Sequence, residues 1–486
     1  MTMRRILALT ALLLGVACAA VGQRIGLRDA DGKPAAEFGG GVIWRWTGID
    51  PQGQSLPAAG GTYLDPSGRT VTRLTDRALC PAGANRTYAD TWQASEFGFV
   101  LECRYDRGNL NLYRSLLIGP DRKTILFADV AAAAKAPRAA HEYKEMQWLP
   151  GSRRLLAVTR STSQVTELDP WAGTVKLYAQ MPPGCVFDWR VAPNGNIVAH
   201  TADKTKMCVF DGVTVRSKDM AAVASGVDQT SILLDGRPLF TWNRNPHRAY
   251  SPDLATELIF DDFHGHLGQF RDAAGKLYTV DTKEDKLADG SVGQNGCPGI
   301  QPWRREEGIY DAVTGKRADI WGCDYGPPSA DKKWGDRDRG HYSTSQAVNR
   351  FFSSGWQAIV QWDVDWTAGT VKRTELAKAH NLAGASYWEE ARAAADLAGT
   401  MVLWDSPMCD GQFDTDGTPK TCGKANVDVY VVDAVGAPTP PPPPPVPPPV
   451  VVPCTIAKAG PSLTVTVDTA MLVDGVPVAC KVTVKP

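Results

Sequence analysis

The sequence predicts an all-β fold, a ring of about seven four-stranded blades of the propeller kind, followed by a small separate β module. Three observations lead there. Turn loops built on Asp, Asn and Gly recur roughly every 40–50 residues, which is the repeat length of a propeller blade. The segments between them are short apolar or alternating runs rich in β-branched and aromatic residues, with little helical periodicity. The ten cysteines after Cys18 fall into five sequence-neighbour pairs: Cys80 with Cys103, Cys185 with Cys208, Cys297 with Cys323, Cys409 with Cys422, and Cys454 with Cys480. Such local pairs suit clamps across adjacent strands, and they place the chain in an oxidising compartment.

In chain order, Arg4 and Arg5 precede an apolar run from Ile6 to Val16, with small residues at Ala17, Ala19 and Ala20. This reads as a secretory signal peptide over 1–20, too short for a membrane span. Gly15 stands where a lipobox usually has Leu, which argues against lipidation at Cys18. The expected location is secreted, periplasmic or cell-surface, with no transmembrane segment in the mature chain.

The propeller is expected over 21–437. The stretch Gly61 to Leu64, a turn at Asp65 to Gly68, and Thr70 to Leu74 form a candidate N-terminal strand pair that closes the ring and removes free sheet edges. Asp-x-x-x-Gly turns stand at Asp169 to Gly173, Asp311 to Gly315 and Asp365 to Gly369. In these, Asp caps the turn and Gly takes the positive φ. Shorter turns occur at Pro193 to Gly195, Asp272 to Gly275 and Asp396 to Gly399, with looser copies near Gly98, Gly151, Gly236 and Gly355. The continuous apolar run Leu155 to Thr159 predicts a strand covered on both faces. Val427 to Val432 alternates instead, which predicts a strand at the outer edge of a blade. One longer gap between turns is read as an insertion over 283–340.

From 438 to 453 the chain is almost wholly proline, a polyproline II spacer that cannot join a sheet. The module at 454–486 has strand-like runs at Leu463 to Val467 and Val476 to Val484 with Asp474-Gly475 between them, a hairpin signal. A bridge between Cys454 and Cys480 would compensate for its small core. It is either a tethered attachment module or a passive tail.

Lys plus Arg (52) and Asp plus Glu (53) nearly cancel, giving a formal net charge of -1. No basic excess is available to neutralise phosphates, so nucleic acid is not an expected partner. The sequence has no Gly-x-Ser-x-Gly elbow, Walker loop, dinucleotide glycine pattern or His-Glu-x-x-His helix.

A resemblance adds to this reading. The order of motifs is Val71 to Asp76, Phe263-His264-Gly265-His266, Arg271 to Gly275, Gly340-His341-Tyr342-Ser343, His380, Tyr387-Trp388-Glu389-Glu390, Gly399 to Trp404, and Val427 to Val432. It resembles the secreted bacterial β-propellers related to TolB and, more distantly, oligogalacturonate lyase. The more distant likeness implies an axial metal ion held by histidines and a glutamine.

Several residues are candidates for a site. His264, His266, His341 and His380 could bring imidazoles from different blades to a Mn or Zn ion; the alternative is hydrogen bonding at turns and strand ends. Such an ion could polarise the carboxylate of an acidic sugar and acidify its neighbouring C–H. Glu389 and Glu390 could add carboxylates or be a solvated pair. Asp410, Asp414 and Asp416, inside the Cys409–Cys422 bracket, could wrap a Ca²⁺ ion or simply form a stapled hairpin tip. Among the fifteen tryptophans, Trp44, Trp46, Trp303, Trp334 and Trp388 lie in loop-like contexts where rings stack on ligands. Trp148, Trp189, Trp242, Trp362 and Trp404 sit at strand-like positions and are expected between blades. The leading functional expectation is a propeller that binds a glycan or an envelope or extracellular protein through loops on one face. The alternative is a metal-dependent polysaccharide lyase or hydrolase.

Overall fold

The computed structural model describes residues 56–65, 67–85, 91–106, 109, 111–220, 227–242, 245–260, 267–283, 306–318, 341–354, 358–379, 391–406, 427–436, 472–473 and 476–477. Two strands open the chain, β1 (Thr62–Leu64) and β2 (Thr70–Arg73). Seven antiparallel blades follow among the described residues. The first is β3 (Ala84–Asn85), β4 (Ala94–Ser95), β5 (Gly98–Arg104), β6 (Tyr113–Ile118) and β7 (Ile125–Phe127), with β3 and β4 both on the inner side of β5. The second is β8 (Tyr143–Trp148), β9 (Leu155–Thr159), β10 (Gln164–Asp169) and β11 (Thr174–Gln180). The third is β12 (Phe187–Val191), β13 (Ile197–His200), β14 (Lys206–Phe210) and β15 (Val215–Asp219). The fourth is β16 (Val227–Ile232), β17 (Pro238–Trp242), β18 (Asn245–Tyr250) and β19 (Glu257–Ile259).

The fifth blade is β20 (Gly268–Arg271), β21 (Leu277–Lys283), β22 (Glu306–Asp311) and β23 (Arg317–Ala318). Its two outer strands come from within the 283–340 segment. The sixth is β24 (His341–Val348), β25 (Arg350–Ser354), β26 (Ala358–Asp365) and β27 (Thr370–Lys378), and β24 runs parallel to β20, joining two inner strands. The seventh is β28 (Ala394–Ala395), β29 (Met401–Ser406) and β30 (Asp428–Asp433), completed by β2 and β1 in the order β1-β2-β30-β29-β28. A separate two-stranded pairing joins β31 (Leu472–Val473) to β32 (Val476–Pro477), on either side of Asp474-Gly475 in sequence.

The N-terminal pair therefore closes the ring. Leu74 N–H donates to Val429 O (2.8 Å) and Ala84 N–H to Val427 O (2.8 Å). One apolar cluster spans the seam, with Leu74, Phe99, Leu101 and Leu116 against Leu403, Val429 and Val431. This placement corrects the expectation for Val427 to Val432. β30 lies inside its sheet, covered by β2, and its residues from Asp428 to Val432 are all buried. Its alternation looked half-wet because Asp428 is polar, yet Asp428 is buried against Arg73 of β2.

The remaining core follows from the sequence. All of β9 is buried, as a strand between two neighbours must be. Trp148, Trp189, Trp362 and Trp404 are fully buried; the Trp242 side chain lies outside the described residues. The Trp148 indole N–H donates to Gly98 O of the preceding blade (3.2 Å), so its polar edge is satisfied. Disulfides join Cys80 to Cys103 and Cys185 to Cys208, each across 23 residues. Cys297, Cys323, Cys409, Cys422, Cys454 and Cys480 lie outside the described residues. Among the described residues no helix is long and apolar enough to cross a membrane.

Candidate functional site

Antiparallel order within a blade separates the two ends of the ring. Turns from first to second strand and from third to fourth share one end. Connections from second to third strand, and from a fourth strand to the next blade, share the other. The first end is closed by tight turns. Asp169 Oδ1 accepts from Trp171 N (3.0 Å) and Ala172 N (2.9 Å), and Asp365 Oδ1 accepts from Thr367 N and Ala368 N (2.9 Å each). Gly173 and Gly369 supply the positive φ, at 62° and 65°. The other end, termed the open end, carries the longest connections between strands. Its connections include 284–305, 319–340, 379–393 and 407–427.

At the open end the first strand of a blade begins, and there its burial changes. β8 and β12 are partly exposed at Lys144, Glu145, Phe187 and Asp188 and fully buried from there toward their hairpins. Both strands carry a bulge at this point. The bulge puts Glu145 (φ 53°) and Asp188 (φ 48°) in the left-handed region, a conformation that non-glycine residues hold only when the surroundings impose it. Their side chains are 25 % and 28 % exposed, so each is partly accessible although Glu145 Oε2 itself is buried.

A band of charge runs through these residues. Glu145 Oε1 accepts from Arg160 Nη2 (2.5 Å), and the Arg160 guanidinium lies 4.5 Å from the Phe187 ring centre. Asp188 pairs with Arg190 Nη2 (2.9 Å) and accepts from Thr230 N of the next blade (3.1 Å). His200 Nε2 is 3.8 Å from Asp188, and His200 Nδ1 is 2.7 Å from Thr201 O. A carbonyl only accepts, so His200 Nδ1 donates to Thr201 O, and Nε2 faces the Asp188 carboxylate. In the first blade, Glu102 and Arg104 flank Cys103 on β5, and Lys144 sits 5.3 Å from the Tyr113 ring centre. Arg392 and Asp405 of the seventh blade complete the band, with Arg392 N donating to Asp405 Oδ1 (3.4 Å).

The same neighbours move the carboxyl groups apart. Burial pushes Glu102 up to about 7 against the pull of Arg104, with the nearby Glu145 carboxylate adding to the rise. Burial also raises Glu145, opposed by Arg160. At Asp188 burial is outweighed by Arg190, His200 and the Thr230 N–H, which hold it at about 2. One side of the band can therefore carry a proton near neutrality while the other stays ionised. Buried Glu145 Oε2, Arg160 Nε and His200 Nε2 have no hydrogen-bond partner among the described residues.

Of the residues expected from the sequence, His341 is described: it begins β24 at the open end and is buried at 2 % exposure. His264, His266, His380, Trp303, Trp334, Trp388, Glu389, Glu390, Asp410, Asp414 and Asp416, like Trp44 and Trp46, lie outside the described residues. Among the described residues no group of three His, Cys, Asp or Glu side chains could hold a metal ion. The charged band on Glu102, Arg104, Glu145, Arg160, Asp188, Arg190 and His200 was not foreseen. Its available signal was charge inside otherwise apolar strands, in Leu101-Glu102-Cys103-Arg104 and Phe187-Asp188-Trp189-Arg190.

No protein-family model matches the chain, and no curated protein matches it. Among solved structures it is similar to oligogalacturonate lyase in complex with manganese: 12 % identity and TM-score 0.47, over 77 % of this chain and 96 % of that one. It is also similar to oligogalacturonate lyase from Vibrio parahaemolyticus, with 10 % identity and TM-score 0.46 over 77 % and 96 % of the two chains. The WD40 repeats of RRP9 match at 8 % identity and TM-score 0.41, over 77 % and 99 %. These likenesses are ones of fold, and the chain is a β-propeller.

Proposed function

We propose that this chain is a secreted propeller that binds a glycan or an extracellular or envelope protein at the open end of its ring. The observation that carries the reading is the pair of bulged carboxylates. Glu145 and Asp188 hold a left-handed backbone inside strands, are partly accessible, and are each gripped by a guanidinium. Strain of this kind persists where a site needs it. The longest connections between strands lie at that end, which supports the same choice of face, because ligand sites on rigid scaffolds collect on such connections. The two disulfides support an oxidising location.

The test is a screen of the full-length oxidised protein against glycan and envelope-protein arrays, repeated with two variants. Asp188→Asn alters the open end. Val213→Glu alters a turn at the opposite end, where Val213 is 89 % exposed. Loss of the bound ligand in the first variant and retention in the second is the expected result. The reverse pattern would place the ligand elsewhere, and the absence of any ligand would refute the reading.

One observation favours a second reading, a metal-assisted polysaccharide lyase or hydrolase. Glu102, held at about 7, can act as a general acid or base at neutral pH. His264, His266, His341 and His380 would hold the ion. Unsaturated product absorbing in the ultraviolet after incubation with uronic-acid polymers would support the lyase. Purified, unchelated protein without a transition metal would remove the metal-assisted reading.

A further inference from the structure

We infer that Asn194 is a deamidation site whose reaction is gated by the joint between the third and fourth blades. Asn194-Gly195 is one of two Asn-Gly steps in the sequence; the other, Asn295-Gly296, lies outside the described residues. The chemistry needs only water. The Gly195 backbone nitrogen loses its proton to solvent base and attacks Asn194 Cγ. A C–N bond forms, the Cγ–Nδ2 bond breaks, and ammonia leaves. Water then opens the cyclic imide at one of its two carbonyl carbons, which gives aspartate or isoaspartate. Nothing is oxidised or reduced. Glycine favours the step because it places no side chain beside the attacking nitrogen, and asparagine is thermolabile through such chemistry.

Asn194 is exposed in the turn from β12 to β13, so water and base reach it. Both reacting groups are nevertheless held. Gly195 is buried, with a φ of 87°. Its N–H donates to Ala192 O (2.9 Å), and its carbonyl accepts from Tyr178 Oη of the second blade (3.0 Å). The Asn194 carboxamide is engaged on both sides. Its Oδ1 accepts from Asn196 N (3.1 Å), an Asx turn, and its Nδ2 donates to Asp235 O of the fourth blade (3.4 Å). Beside it, Asn196 Nδ2 donates to Gly236 O of the same blade (3.1 Å). Attack requires the Gly195 N–H to leave Ala192 and Cγ to turn toward that nitrogen. The turn and its contact with the fourth blade must therefore open before the bond can form, and the rate follows that local opening. The change is one-way. A carboxylate at 194 has no donor to return to Asp235 O, so the joint does not re-form as it was.

The test is incubation of the full-length oxidised protein at mildly alkaline pH, folded in buffer and unfolded in urea. The tryptic peptide from Val191 to Lys204 is followed by mass spectrometry and by enzymatic methylation of isoaspartate. Asn196, followed by the β-branched Ile197, is the internal reference in the same peptide. In urea Asn194 should convert while Asn196 stays intact, and in the folded protein conversion should be slower by about tenfold or more, the protection that a modest local opening energy confers. Gly236→Ala would set a Cβ against Asn194 Nδ2 and push the carboxamide off the joint. Conversion in that folded variant should rise severalfold. Asn196→Ser removes the link to Gly236 O and reads the joint if Gly236→Ala fails to fold. No conversion in urea would overturn the site. Equal rates in the folded and unfolded protein would overturn its protection, and an unchanged rate in the folded joint variants would overturn the joint as its gate.

Discussion

Arg73 Nη2 meets Asp428 Oδ2 at 2.6 Å although 355 residues separate them in the chain. Both side chains are nearly buried, at 12 % and 5 % exposure, and they join the N-terminal strand β2 to β30 in the closing blade. Asp428 also receives Thr75 Oγ1 at 3.4 Å, and Thr75 Oγ1 accepts from Val429 N at 3.0 Å. The seam is thus polar as well as apolar.

Removing one partner should open this seam. Asp428→Ala leaves the Arg73 guanidinium buried without its carboxylate, and should destabilise the protein by roughly 3 kcal/mol, the usual effect of breaking a buried pair. The double variant Arg73→Met with Asp428→Leu should recover much of that loss. Urea denaturation of the three proteins checks both outcomes.

Stability should depend on pH through Glu102. Its folded-state pKa is raised from 4.5 to about 7, so the folded protein holds a proton there that the unfolded chain has released. That contribution is fully present below the unfolded value and is lost as pH rises through the folded one. The window is pH 4.5 to 7, and the full change is on the order of 3 kcal/mol. Subtracting the stability curve of Glu102→Gln from that of the parent should isolate the slope. Asp188, held near 2, has the opposite sign: its contribution is present above its ordinary range and is lost as pH falls toward 2.

Cys185–Cys208 ties the entry to β12 onto β14, next to the strand that carries Asp188. Each described bridge spans 23 residues, and closing a loop of that length contributes about 3 kcal/mol by chain-entropy reasoning. Replacing Cys185 and Cys208 together by serine should lower the melting temperature by several degrees. Peptide mapping of the parent should recover Cys80 joined to Cys103 and Cys185 to Cys208.

Gly98 has a φ of 125°, and a Cβ placed there would sit 2.1 Å from Ile118 O. Neither the conformation nor the space admits a side chain, because the β4–β5 turn presses against the end of β6. Gly98→Ala should cost about 2 kcal/mol or more. Gly151→Ala, where nothing lies within 4 Å, should cost only the strain of its positive φ. Thermal melts of the two variants should separate them clearly.

How much was legible in the sequence follows from the range of each interaction. The Asp169, Asp311 and Asp365 turns were readable because a side chain, two amides and a glycine four residues on contain the whole device. The two described disulfides were readable for the same reason. Closure by Thr70 to Leu74 was anticipated, yet the consequence for Val427 to Val432 was not. A strand's own alternation says nothing of a neighbour arriving from the far end of the chain. The charged band was hidden by the same limit. Glu102, Glu145 and Asp188 look like ordinary outward-facing positions until the ring turns three successive blades toward one opening.

Hydrogen–deuterium exchange of the full-length protein with and without the ligand recovered from the array screen tests the central claim most directly. Protection should concentrate at Glu102 to Tyr105, Lys144 to Met146 and Asp188 to Arg190, at the open end. Protection confined to the opposite turns, at Asp169 to Gly173, Asp211 to Val213 and Asp365 to Gly369, would contradict it.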